Sequence, residues 1–211
     1  MESSTDSIGI FGGSFNPVHI GHLLVAQEAW YRCRLARVAF VPSASNPLKD
    51  EPDHSATDAQ RLSMLRMAVE DDNRYYVDAY DLRRGGTTYS VDTVMRFHEL
   101  HPKAQIYFIM GADSAEQLHL WKDVQIFLQL CRIVIYARRG AHDFSGGLPP
   151  QLGELVVNWE YISINPVDIS STDIRGRLRN DKPVRYMVPD NVADYIHRMG
   201  IYDPLSPHRP G

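Results

Sequence analysis

Short apolar runs alternate with segments whose apolar residues recur at helical spacing along most of the chain. Residues 7–11 read as a short buried strand, 21–32 as a helix, and 37–41 as a second strand stopped by Pro42. A loop with Ser43, Asn46, Pro47 and Pro52 follows. Leu62, Leu65, Met67 and Val69 predict a helix over 57–70. The pattern then predicts a strand over 75–82, a loop over 83–87 carrying Gly85-Gly86, a helix over 89–100 and a strand over 105–110. A helical stretch holding Leu118, Trp121 and Phe127 comes next, then a strand over 132–137. The Gly- and Pro-rich stretch 140–153 predicts a loop, 155–164 one strand or two, and 172–179 and 191–199 two closing helices. Strands alternating with helices imply an α/β fold with a doubly wound, mostly parallel sheet. Ligands of such sheets bind at the carboxyl ends of the strands, where the strand order reverses.

Composition changes this picture little. A chain of 211 residues, 44% hydrophobic and 23% charged, suits one globular domain. The net charge of −4 lacks the basic excess of a nucleic-acid binder. Cys33 and Cys131 stand in apolar stretches without zinc spacing and read as buried free thiols, which points to a reducing cytoplasm. The polar start, 1–7, does not resemble a signal peptide, and no apolar run approaches membrane-spanning length. A homo-oligomer is left open.

The chemistry gathers after the first strand, in Gly12-Gly13-Ser14-Phe15-Asn16-Pro17-Val18-His19-Ile20-Gly21-His22. Two glycines let the backbone turn and approach a ligand closely. The following helix offers unpaired N–H groups and a positive dipole end to an anion. His19 and His22, three apart at the helix start, share a face and aim two donors at that anion. Such a pair suits a phosphoryl centre in an in-line displacement. A zinc site ranks low, because no third ligand lies near. Near the other end, Ile169-Ser170-Ser171-Thr172-Asp173-Ile174-Arg175 places Ser171 or Thr172 as a helix cap and Arg175 as a forked donor for phosphate oxygens. Taken alone, that segment is an ordinary helix start.

Together the two segments resemble the (H/T)xGH signature and the C-terminal Ser-Ser-Thr…Arg signature of the nucleotidylyltransferase superfamily. From about residue 8 to 202 the chain is similar to the bacterial nicotinate-nucleotide adenylyltransferases. The resemblance implies a Rossmann-like nucleotidyltransferase fold with a small helical C-terminal part. One domain, 1–211, would comprise a core over about 7–165, a phosphate-clamp and helical part over about 166–203, and a disordered tail over 204–211. It implies transfer of AMP from ATP to nicotinate mononucleotide, giving deamido-NAD and pyrophosphate. His19, His22 and Arg175 would be the catalytic residues, and Mg2+ would ride on the ATP phosphates.

Four further segments carry the match. Asn46-Pro47-Leu48-Lys49 retains Lys49 as a phosphate cation but has Leu48 where the family usually has His. In Asp81-Leu82-Arg83-Arg84-Gly85-Gly86-Thr87-Thr88-Tyr89-Ser90-Val91-Asp92-Thr93, Thr88 and Ser90 exchange the usual Ser and Thr around Tyr89, and the turn is implied to hold the nicotinate carboxylate. In Gly111-Ala112-Asp113 and Trp121-Lys122, Asp113 is implied to accept from the adenosine, Trp121 to stack on the pyridine, and the Lys122 N–H to read the carboxylate. Arg138-Arg139-Gly140 resembles a turn beside the adenine. Gly12, Gly13, Ser14, Phe15, Asn16, Gly111, Ser171 and Thr172 complete the implied ATP and phosphate contacts. The rivals are a sister transferase with another phosphate acceptor and a non-catalytic nucleotide sensor.

Overall fold

The computed structural model describes residues 6–44, 56–138, 149–152, 159–164 and 169–203. Six strands form one sheet: β1 (Ser7–Gly13), β2 (Arg37–Pro42), β3 (Tyr75–Val77), β4 (Gln105–Gly111), β5 (Arg132–Arg138) and β6 (Trp159–Ile164). Their order is β3-β2-β1-β4-β5-β6, and every named pair is parallel. Helices α1 (Ile20–Arg32), α2 (Asp58–Val69), α3 (Tyr80–Arg84), α4 (Ser90–Leu100), α5 (Ala112–Glu116), α6 (Val124–Leu130), α7 (Ser171–Arg179) and α8 (Asp190–Met199) make the crossovers and the C-terminal part.

The strands read as nearly continuous apolar runs because both sheet faces are covered. Ile8 and Ile10 enter one core with Val94 and Phe97 of α4 and Phe127 of α6. Phe11, on the opposite face, enters a second core with Val25 of α1, Leu65 of α2, Ile174 of α7 and Ile196 of α8. The C-terminal helices thus pack into the same core as the helices of the first half. Asn191 of α8 also donates to the Met67 carbonyl of α2 at 2.8 Å. The chain winds outward from β1 to β3 and returns beyond β1 as β4. Order therefore reverses between β1 and β4, which opens a crevice at their carboxyl ends.

Three expectations need correction. The strand predicted over 75–82 stops at Val77, and α3 takes the rest. Asp78 causes this: one carboxylate oxygen accepts the Tyr80 N–H at 2.8 Å and the other takes Arg96 at 2.8 Å, which starts a helical turn. The helical stretch around Trp121 is broken into α5, a 3₁₀ turn over Leu118–Leu120, and α6. Trp121 itself is extended (φ −74°, ψ 143°), and Asp123 is left-handed (φ 47°). The cap of α7 is Ser170, whose hydroxyl accepts the Asp173 N–H at 3.0 Å, rather than Ser171 or Thr172. The region 155–164 yields one described strand, β6, and of 140–153 the described part is 149–152, with a 3₁₀ turn over Pro150–Leu152. Asn46 to Lys49, Arg139-Gly140 and 204–211 lie outside the described residues.

Candidate active site

A cleft of about 880 Å³ opens at the carboxyl ends of β1 and β4. One wall of it is built where β1 runs out. Gly12 to Asn16 line it, and the chain turns through a left-handed Phe15 (φ 47°) before a cis Asn16–Pro17 peptide. A bulky residue there costs roughly 1–2 kcal/mol. The Phe15 ring is held by edge-on contacts to Phe11 and His22, at centroid distances of 5.6 and 5.0 Å.

His19 is the N-cap of α1 and His22 is its third residue, so the pair is a cap and its partner rather than two residues within the helix. The two rings stack at 3.7 Å with 27° between their planes. His22 Nδ1 accepts the His19 backbone N–H at 3.2 Å, which leaves the proton of a neutral ring on Nε2 as a donor. Both residues line the cleft. Gly21 makes room for them: a Cβ there would sit 3.0 Å from His19 Nδ1 and 3.1 Å from its Cε1. Gly21→Ala should therefore displace the His19 ring and lower kcat about tenfold or more. The melting temperature should stay within a few degrees, because alanine favours the helix by about 1 kcal/mol. Steady-state rates beside a thermal melt check this.

Arg175 arrives from α7. Its Nη1 donates to the Asn16 carbonyl at 2.7 Å, across 159 residues of chain, and its Nη2 donates to Thr172 Oγ1 at 3.1 Å. Ser171 Oγ donates to the Pro17 carbonyl at 2.9 Å. The Asn16 side chain is itself held, accepting from the Ala56 N–H at 3.2 Å and from the Tyr202 hydroxyl at 2.7 Å. The two distant motifs therefore close on one another around Asn16.

A family model, cytidylyltransferase-like, matches residues 10–177, the span that contains both motifs. The chain belongs to the cytidylyltransferase-like family. It is a nucleotidyltransferase. It is 36% identical over 197 residues to the probable nicotinate-nucleotide adenylyltransferase of Desulfitobacterium hafniense (strain Y51), covering 92% of this chain and 95% of that one. Its identity to the protein of the same description from Corynebacterium kroppenstedtii is 37% over 207 residues, covering 97% of this chain and 95% of that one. The solved structure of Plasmodium falciparum nicotinic acid mononucleotide adenylyltransferase complexed with APC superposes with a TM-score of 0.73. At 17% identity over 93% of this chain and 97% of that one, it shares the fold.

The cleft in this nucleotidyltransferase is also lined by Thr88, Tyr89, Ser90, Trp121 and Lys122. Gly85 and Gly86 (φ 68° and 72°) turn the chain from α3 into this segment through left-handed backbone that suits glycine. Thr88 Oγ1 accepts the Ala44 N–H at 3.3 Å, tying the turn to the loop after β2. Tyr89 is the N-cap of α4, whose first N–H groups open beside Ser90. The Lys122 ammonium sits 4.5 Å from the Tyr89 ring centroid and 3.8 Å from Asp92 Oδ1. Half-buried Trp121 meets Phe108 edge-on at 5.8 Å and Phe127 at 5.3 Å, so the core fixes the indole at the cleft wall.

Gly111, Ser171 and Thr172 line the cleft as well. Asp113 does not: it is exposed on the first turn of α5, while Ser114 and Gln117 face the cleft instead. Arg138 ends β5, and Lys49 lies outside the described residues. Among the described residues, no three His, Cys, Asp or Glu side chains gather as a metal cage, and no helix is long and apolar enough to cross a membrane.

Sequence reading places Asp81 in a matching segment but gives it no role. It is buried at 3% exposure, lines the cleft, and accepts from Thr93 Oγ1 at 2.8 Å. Burial pushes its carboxyl above the usual carboxylate range, partly offset by the Thr93 hydrogen bond. The folded carboxyl thus keeps its proton to a higher pH than the unfolded one. The stability it contributes is present below the unfolded value and is lost as pH rises through the folded value. Asp81→Asn retains an acceptor for Thr93 and should flatten that loss, melting higher than the parent at neutral pH and converging with it in acid. Thermal melts across pH check both limbs.

Proposed function

We propose that the protein transfers AMP from ATP to nicotinate mononucleotide, forming deamido-NAD and pyrophosphate. The observation carrying this reading is that a single cleft collects both groups of residues. His19, His22 and Arg175 converge on the loop after β1, while Thr88 to Ser90 and Trp121 line the same cleft. The names of the relatives above point the same way.

The acceptor phosphate is already anionic at neutral pH, so its oxygen attacks the α-phosphorus of ATP directly, without a general base. The bond to the β-phosphate oxygen breaks as the new P–O bond forms, and pyrophosphate leaves with the electron pair. Catalysis is then positioning and charge stabilisation. In this reading His19 and the Nε2–H of His22 meet the α- and β-phosphates, and Arg175, with Ser171 and Thr172, holds the departing pyrophosphate. Imidazole, guanidinium and hydroxyl donors suit phosphate oxygens rather than a hard cation. Mg2+ would accordingly be carried on the ATP phosphates, where it would neutralise part of their charge. The N-terminus of α4 and Lys122 receive the nicotinate carboxylate, and Trp121 takes the pyridine face. A cytoplasmic setting belongs to the same reading, supported by two buried free thiols, Cys33 and Cys131.

The test is pyrophosphate release from ATP with a panel of phosphate acceptors. Release is expected with nicotinate mononucleotide. Release only with an unrelated acceptor, such as phosphopantetheine, would overturn the assignment. Trp121→Ala should raise KM for the mononucleotide roughly five- to hundredfold, the range of base–aromatic stacking, and leave KM for ATP nearly unchanged. Equal changes in both constants would count against stacking.

A further inference from the structure

Among the described residues Arg61 is the largest fully buried side chain, at 2% exposure, yet it does not line the cleft. It lies on the buried face of α2 with Met64, Leu65 and Val69. Its Nη1 donates to the Ser14 carbonyl at 2.6 Å, and its Nη2 donates to the Ser43 carbonyl at 2.8 Å and to Asp58 Oδ1 at 2.6 Å. Ser14 belongs to the loop after β1 and Ser43 to the loop after β2. One guanidinium therefore fastens the ends of two neighbouring strands to a single helix.

The fork fixes more than two carbonyls. In a trans peptide the carbonyl and the next N–H point in opposite directions. Ser14 C=O turned towards Arg61 sends the Phe15 N–H away from it, in a loop whose members line the cleft. Ser43 C=O turned towards Arg61 sends the Ala44 N–H away too, and that N–H donates to Thr88 Oγ1 at 3.3 Å. A line of hydrogen bonds thus runs from one buried cation to the loop after β1 on one side and to the Thr88 turn on the other.

We propose that Arg61 is a positioning residue that holds the loop after β1 and the Thr88 turn at a fixed separation, and so sets the alignment of donor and acceptor for transfer. The inference rests on the functional reading above for the nature of the acceptor, but not for its geometry. Lysine at this position keeps the charge and can reach one carbonyl, but it cannot fork between two. Misplacement by about 1 Å costs up to about a hundredfold in rate.

The experiment compares the parent with Arg61→Lys and Arg61→Gln by thermal melting, steady-state kinetics per folded enzyme, and calorimetric binding of a non-hydrolysable ATP analogue. The expected result for the lysine variant is a cooperative melt, kcat lower by about ten- to hundredfold, a severalfold higher KM for nicotinate mononucleotide, and weaker analogue binding. Adding Thr88→Val should then raise KM for the mononucleotide less in the lysine variant than in the parent, because the tie it removes is already slack. Folded variants with parental kcat, KM and analogue affinity would overturn the proposal. So would loss of cooperative folding in both variants, since Arg61 would then serve the fold alone. A parent that binds the analogue but turns over no nicotinate mononucleotide would sink the functional reading, and the binding arm would still decide this one.

Discussion

His22→Ala should lower kcat at least about a hundredfold while leaving the melting temperature close to that of the parent. The size follows from the cost of removing one preorganised donor from a developing oxyanion, about 3–4 kcal/mol. Here that donor is Nε2–H, oriented because Nδ1 accepts the His19 N–H and because the ring stacks on His19 and meets Phe15 edge-on. The fold should survive, since His22 is half-buried at the cleft wall rather than within either core. A large fall in kcat with little change in the KM values would mark an interaction made mainly in the transition state. Near-parental turnover would remove His22 from the chemistry.

Arg175→Ala should have the second-largest effect, lowering kcat/KM for ATP roughly ten- to hundredfold, the worth of a charge-assisted hydrogen bond of about 1.5–3 kcal/mol. Two of its nitrogens are committed to Asn16 and Thr172, so the plane of the guanidinium is set before substrate arrives. Arg175→Lys should recover only part of the loss, because an ammonium cannot hold both contacts and keep a planar edge for the phosphates. The effect should fall on ATP far more than on the mononucleotide. Steady-state kinetics with each substrate varied in turn separates the two, and equal losses on both would place Arg175 outside the triphosphate site.

Much of this arrangement was legible in the chain itself. Strands whose apolar residues run without interruption, such as 105–110, announce a sheet covered on both faces, and the periodic segments between them announce parallel crossovers. The Gly-Gly turn and the histidine pair marked the end of β1 as a wall of the cleft, because their chemistry is local. What local reading missed depends on partners distant in sequence. Asp78 diverts the chain into α3 with the help of Arg96, eighteen positions away. Trp121 reaches the cleft because a left-handed Asp123 breaks a helix that the apolar spacing alone would continue. Asp113 turns outward because Ala112 and Ala115 take the inner face of a single short helix. Arg61 was overlooked because it keeps step with an apolar stripe, at the spacing of Met64, Leu65 and Val69. A charge in step with a buried face is the signal that marks such a residue.

The central claim is that the part of the cleft lined by Thr88 to Ser90 and Trp121 accepts a pyridine bearing a carboxylate. It is tested most directly by kcat/KM for nicotinate mononucleotide against nicotinamide mononucleotide at saturating ATP. The two acceptors differ by a charged carboxylate and a neutral amide. On the proposed reading, the N–H groups opening α4 and the backbone N–H of Lys122 would favour the anion, by about tenfold or more if one charge-assisted contact separates the two acceptors. A preference for nicotinate mononucleotide of that order is the predicted result, and equal values or a preference for the amide would contradict it.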